Sequence, residues 1–263
     1  MTSSLLPWTL FLPSWGCLQV WRRNFLVWTK TSLASIVGNL GEPLLTLLAL
    51  GYGLGRFVGD LEGTPYLLFV TSGLIATSSM NTASFEAIYG SFTRMTRQNT
   101  FQTMLTTPLS VADVVAGEIL WAASKAFFAG MAILLVGMVL SNIPPHAALL
   151  ILPLIFGSGI LFAAMGMVAT ALSPSYDFFL YYITLITTPM FLFCGIFFPI
   201  STLPAAFQTW VGILPLTHVI ALIRPLTLDR MPEHLVMHLV IPTAMAIVFY
   251  MLAVLLIRRR ILV

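Results

Sequence analysis

The sequence predicts an all-α membrane protein: six transmembrane helices, an N-terminal interfacial helix, and short re-entrant outer helices between spans five and six. Three observations predict it. Of the residues, 59% are hydrophobic and only 8% charged. A soluble domain carries about a quarter charged residues to wet its surface, so the outer surface here must face lipid. One large soluble core is excluded, because such cores stop growing at about this chain length. Next, six apolar stretches reach the ~20 residues that cross a hydrocarbon core: roughly 38–58, 66–88, 112–140, 147–172, 178–199 and 236–257. Finally, Arg22, Arg23 and Lys30 precede the first stretch, Arg94 and Arg97 lie between the second and third, and Arg258, Arg259 and Arg260 follow the sixth. An even count puts all of these on one side, which the positive-inside rule makes cytoplasmic. Both termini are then cytoplasmic, and five or seven crossings are disfavoured.

The elements follow in order, within one domain over residues 1–263. The run Leu5–Leu12 has no basic residue before it and is broken by Pro7 and Trp8, so it is a poor signal peptide; the first span serves for targeting. In residues 14–30, Leu18, Trp21, Phe25 and Trp28 share one helical face. Trp and Arg together suit a helix lying in the membrane interface; the plainer alternative is an extension of the first span. Glu42-Pro43 opens that span, with proline suited to a first turn and an acid to the positive helix end. Gly51, Gly55 and Gly59 make two overlapping G-x-x-x-G steps, which fit either packing within the chain or a dimer seam. Residues 89–111 form the one long polar loop on the cytoplasmic side, broken near Pro108. The third and fourth stretches are long enough to tilt, and residues 173–177 link the fourth to the fifth. Residues 197–235 carry Pro199, Pro204, Pro215, Pro225 and Pro232. They are too interrupted to span and too apolar to float free, which predicts helices dipping back into the outer leaflet.

The chain has no G-x-x-x-x-G-K-[ST] and no G-x-S-x-G, so any ATP-driven step needs a second chain. Charges inside spans are costly and are functional candidates by default. Lys125 lies well inside the third span, about 20 Å from its start at ~1.5 Å per residue. Glu118 stands two turns earlier on nearly the same face, and Glu86 near the inner end of the second span. A buried ion pair between Lys125 and a carboxylate could couple helix movements; a structural pair or a snorkelling lysine is the alternative. His234 and His238 are four apart beside Glu233, but an H-E-x-x-H zinc site would need Glu where Leu235 stands. No metal site is expected, His146 is read as solvated, and Cys17 and Cys194 imply no disulfide. No basic patch interleaves with aromatics, so no nucleic-acid partner is expected. Two other classes compete with transport driven by a partner ATPase: a membrane enzyme acting on lipid or glycan, and an ion-coupled carrier.

Residues 188–228 resemble the C-terminal signature of ABC-2 type transporter permeases. The marks are Cys194-Gly195, Phe198-Pro199, Leu203-Pro204, Pro215-Leu216-Thr217-His218, and Arg224 six residues on. Residues 102–118, ending in Gly117-Glu118, resemble the family's cytoplasmic segment between spans two and three. Gly41-Glu42-Pro43 with Gly51–Gly55 resembles the branch exporting lipo-oligosaccharide Nod factors. The resemblance covers roughly residues 15–258. It implies a permease subunit in a bacterial inner membrane, surrounded by lipid, paired with a second copy and driven by separate ATPase subunits that bind the ATP and magnesium. No cofactor is expected in this chain. The resemblance also implies that residues 93–108 touch the ATPase, which singles out Arg94, Arg97, Gln102, Met104, Leu105 and Pro108. At the outer end it singles out Gly195, Pro199, Pro204, Pro215, His218 and Arg224.

Overall fold

Seven serines and threonines stand on the second apolar stretch, and all seven are buried. Such a run of small hydroxyl residues marks a helix covered by neighbouring helices, and the computed structural model shows this enclosure. It describes residues 10–30, 41, 43–61 and 63–262. The expected Glu42 cap and most of the Leu5–Leu12 run lie outside the described residues.

Helix α1 is Gly16–Trp28 and α2 is Pro43–Val58, the latter with a π-helical stretch at Ala49–Leu54. A two-residue hairpin, β1 Asp60–Leu61 against β2 Thr64–Pro65, leads into α3. Helix α3 covers 66–96: an α-helical part Tyr66–Phe85, a π-helical turn Glu86–Ser91, and a last α-helical piece Phe92–Thr96. After it come α4 Thr100–Leu105, α5 Val111–Leu140, α6 Pro145–Leu172 and α7 Tyr176–Phe193. The chain ends in α8 Ala205–Ile213, α9 Pro215–Thr227 and α10 Leu235–Leu262.

The expectation of a loop over 89–111 needs correction. Helix α3 continues to Thr96, and α4 occupies most of the remainder. The fifth stretch ends earlier than expected, at Phe193, where Gly195 adopts φ +82. Among the described residues, α5, α6, α7 and α10 are long and apolar enough to cross a membrane, and α8 with α9 would make a fifth if that pair, bent by 90°, were one span. The first two expected spans miss this criterion for different reasons. Helix α2 is short over its described length, and the hydroxyls of α3 lower its apolarity.

Small residues and hydroxyls bring α3, α5 and α6 together. A Cβ at Gly166 would lie 2.7 Å from Ala87, and one at Gly159 would lie 3.0 Å from the Ala123 backbone. Such close approach is the usual basis of helix packing in lipid, where no hydrophobic drive joins helices. The hydroxyls bond across the seams: Ser79 to Ser158 at 2.7 Å, and Thr170 to the Ala87 carbonyl at 2.7 Å. An aromatic cluster joins the end of α3 to the start of α7, with Phe92 edge-on to Tyr176 and Phe179.

Contacts define two ends of the bundle. At one, Arg260 donates to the carbonyls of Thr170, Ala171 and Ser173, closing the C-terminus of α6, and its guanidinium lies 5.5 Å from the Phe92 ring. Tyr250 bonds there to the Ala112 carbonyl. At the other, Thr71 meets Ser141 and His146 meets Asp229. Helices α3, α6 and α10 therefore run from the second end to the first and α5 runs the opposite way, and Arg23, Arg94 and Arg260 gather at the first end. Helix α7 finishes and α10 starts at the second end, so α8 and α9 leave that end and return to it. Because three carbonyls at the α6 terminus depend on Arg260, Arg260→Ala is expected to lower stability by about 1–2 kcal/mol. Thermal unfolding in detergent checks this against Arg259→Ala as the near-neutral control.

Candidate functional site

Four charged side chains meet where α1, α3 and α5 converge. The Lys125 ammonium lies 2.8 Å from Glu86, and Arg94 bridges Glu86 at 2.8 Å and Glu118 at 2.6 Å. Two cations and two anions make a neutral set. The hydrogen bonds are filled as well. Glu86 Oε1 accepts from Arg94 and from the Trp121 indole, while Oε2 accepts from Lys125. Glu118, fully buried, accepts from the Asn24 amide, the Ser91 hydroxyl and Arg94. Burial of charge is tolerated when the ions are paired and their remaining donors and acceptors are satisfied.

Local sequence makes the arrangement possible. Glu86 opens the π-helical turn of α3, and a Cβ on Gly90 would fall 2.5 Å from Glu86 Oε1. Glycine at 90 therefore leaves the space the carboxylate occupies. On α5, Gly117 lets α1 approach: a Cβ there would lie 2.6 Å from the Cys17 carbonyl. The aromatic face of α1 packs on α5 rather than on lipid, Trp21 donating to Ser124 and Trp28 stacking on Phe128. The exposed apolar residues of α1 are Leu18, Leu26 and Val27, with exposed Trp15 just before it, so Leu18 leaves the face on which the sequence grouped it.

The expected pair of Lys125 with a carboxylate is present in geometry, and the partner is Glu86. Glu118 belongs to Arg94 instead. Arg94, expected on the cytoplasmic loop, turns inward because α3 has not ended where the polar residues begin. Asn24, Ser91 and Trp121 were missed. Asn24 left a signal, a polar amide bordering the aromatic face of α1 between Trp21 and Phe25.

The other residues expected at the ATPase contact lie on or beside α4. Asn99 opens the helix at φ 51, Phe101 anchors it in the core, and Arg97, Gln102 and Pro108 are exposed. Met104 and Leu105 are half-buried. A cavity of about 430 Å³ separates α4 from α1, lined by Gln19, Arg23, Gln98, Thr103, Met104 and Leu109. Beyond it, Ser110 and Asp113 form a capping box at the start of α5, and Asp113 also accepts from the Ser14 amide. That second bond ties the segment before α1 to α5.

At the opposite end, Arg224 of α9 donates to the Gly195 carbonyl, the Ser72 hydroxyl and the Phe69 carbonyl, and stacks 3.6 Å over the Phe69 ring. Gly195 supplies the left-handed turn that aims its carbonyl there. The prolines set helix starts: Pro204 precedes α8, Pro215 is the first residue of α9, and Pro199 precedes a single 3₁₀ turn. His218 lies 2.8 Å from His238, Nδ1 to Nδ1. The His238 side chain is thus engaged by α9, while its backbone amide donates to the carbonyl of His234, which sits at φ 50 just before α10. Among the described residues, no group of three or more candidate metal ligands is present. His146, expected to be solvated, is exposed and pairs with Asp229 at 2.6 Å.

Removing one member of the charge set leaves a buried ion unpaired. Glu118→Gln is expected to cost about 3–5 kcal/mol, and the double change Glu118→Gln with Arg94→Gln considerably less than the sum. A double-mutant cycle on thermal unfolding measures the coupling directly.

The ABC-2 type transporter family profile matches residues 16–228. Nodulation protein J of Rhizobium leguminosarum bv. viciae is 45% identical over 253 residues, covering 95% of this chain and 98% of that protein. Nodulation protein J of Sinorhizobium fredii (strain NBRC 101917 / NGR234) is 44% identical over 248 residues, covering 94% and 95%. The inner membrane transport permease YadH of Escherichia coli (strain K12) is 21% identical over 199 residues, covering 76% of each chain. With its apolar helices, its converging charges and these relatives, the chain is a multi-pass membrane protein belonging to the ABC-2 type transporter family.

Proposed function

We propose that the chain is the transmembrane permease subunit of an ATP-driven exporter of amphipathic cargo. On this reading α2, α3, α5, α6, α7 and α10 are six spans, α1 lies at the inner interface, and α8–α9 is a re-entrant pair in the outer leaflet. The arginine-rich end faces the cytoplasm of a bacterial cell, bounded by the inner membrane. A separate ATPase binds ATP and magnesium, and a second permease copy completes the pathway. The cargo class favoured is a lipo-oligosaccharide, from the resemblance to the Nod-factor branch and the relatives named Nodulation protein J; polysaccharide, lipid or drug cargo are the alternatives a transport assay separates.

One observation carries the reading. Helix α4 stands at the arginine-rich end, connected to α3 by only three residues, and α3 carries Glu86 and Arg94 into the buried charge set. A partner pressing on α4 therefore acts on a helix that contacts α5, α6 and α9. A ligand or partner biases a two-state protein only through contacts that differ between the states, and the exposed surface of α4 offers such a contact. Arg97, Gln102 and Pro108 would meet the ATPase directly, with Met104 and Leu105 filling its groove. Arg94 would act from behind, holding α3 to α5.

Two measurements test this. An ATPase subunit carrying a P-loop is expected to co-purify with the chain, and vesicles containing both are expected to move a lipo-oligosaccharide only with ATP. Met104→Glu or Leu105→Glu is expected to reduce coupled export by about tenfold, since a charge at a packed contact typically costs upward of ~1.4 kcal/mol. Membrane insertion, followed by protease protection, should be unchanged. Full ATPase binding and full export in both variants would overturn the assignment of α4.

A further inference from the structure

We infer that a phosphate group binds in the cavity between α1, α3 and α5, and that its source is the headgroup of an acidic phospholipid. The cavity measures about 390 Å³ and lies directly against the charge set. Its lining includes Arg23, Arg94, Lys125 and Glu86. Arg94 is balanced by Glu118, and Lys125 by Glu86. Arg23 forms no salt bridge among the described residues, so these three cations with Glu86 and Glu118 carry one net positive charge.

The hydrogen-bond inventory points the same way. An ammonium has three donors and a guanidinium five, with no acceptor on either. Among the described residues, Lys125 makes one hydrogen bond, to Glu86, and Arg23 makes one, to the Asn24 side chain. Both oxygens of Glu86 are already engaged. The cavity therefore offers spare donors and positive charge with its carboxylate oxygens consumed. Its complement is a small anion rich in acceptors, and a phosphate fits both requirements.

The surroundings select the lipid as the source. Val27 lines the cavity and is 57% exposed, with exposed Leu26 beside it. Trp28, also in the lining, stacks on Phe128, which is 39% exposed one turn further along α5. An apolar track thus leads from the cations along α5, away from the arginine-rich end. Cations toward the arginine-rich end, with apolar surface running away from it, match a phospholipid, headgroup and acyl chain together. The ligand is a constituent of the bilayer and distinct from cargo.

The test uses the full chain in nanodiscs containing phosphatidylglycerol and phosphatidylcholine, released for native mass spectrometry. Wild type is expected to retain phosphatidylglycerol in preference, and Arg23→Gln to reduce that retention about fivefold, in keeping with ~1 kcal/mol per basic residue near an anionic headgroup. Arg23→Lys should restore most of it, and Leu149→Gln, exposed at the start of α6 and outside the lining, should leave it unchanged. Val27→Trp, which fills the mouth without touching a charge, should also displace the lipid. A parallel arm measures thermal stabilisation of the detergent-solubilised chain by inorganic phosphate. Stabilisation that disappears in Arg23→Gln, without lipid preference, would uphold the phosphate site and overturn the lipid as its source. No lipid preference and no phosphate effect, or retention equal in wild type and Arg23→Gln, would overturn the site itself.

Discussion

Two carboxylates, a guanidinium and an ammonium share one buried volume where three helices meet, and the organisation of that end of the molecule follows from keeping them neutral and hydrogen-bonded. Each ion alone would carry a desolvation penalty of several kcal/mol. The penalty is offset only by placing all four within bonding distance, which fixes α3 against α5. The Asn24 amide extends the constraint to α1. Gly90 clears the space for Glu86, and Gly117 lets α1 come near enough for Asn24 to reach Glu118. The glycines, the amide and the ions are thus parts of one geometric requirement.

The two ends of the bundle solve the problem of ordering helices with different chemistry. The arginine-rich end uses ion pairs between helices. The other end uses Arg224 to gather carbonyls and a hydroxyl from α3 and from the turn after α7. Helix α3 touches both, Arg224 reaching its start and Arg94 sitting near its finish. With Ser79 bonded laterally to α6 and Thr170 of α6 bonded to its Ala87 carbonyl, it is the element through which a displacement at one end would reach the other. This arrangement places the polar surface of α3 inside and leaves α7 and α10 as the more apolar exterior.

Much of this was legible from composition. The scarcity of charge required a lipid-facing exterior, and the distribution of arginines anticipated which helix ends lie together. The approximate bounds of α5, α6 and α10 follow from apolar length alone. Elsewhere the physical reason for the mismatch is specific. Helix α3 outran its apolar stretch because its polar tail is enclosed by protein, where hydroxyls and ions bond to neighbours and no longer mark a loop. Arg94 was accordingly assigned to a surface when its position in three dimensions is inward. Lys125 could be recognised as costly from depth, but the choice between Glu86 and Glu118 depends on how α3 and α5 are phased. The aromatic face of α1 has the composition of a lipid-facing surface, and only the presence of Asn24 beside it hinted that protein covers it.

The π-helical turns of α2, α3 and α7, at Ala49–Leu54, Glu86–Ser91 and Ile183–Thr187, have an evolutionary corollary. Each is equivalent to one residue inserted into an α-helix. A homologue lacking a residue within 86–91 would still form an unbroken helix. Its side chains beyond that point would, however, be rotated by about 100°, one step of a 3.6-residue helix, and an arginine aligned with Arg94 would face another neighbour. Single-residue gaps inside these helices, which an alignment tends to push into adjacent loops, are where relatives of equal hydrophobicity can diverge in how their helices are geared.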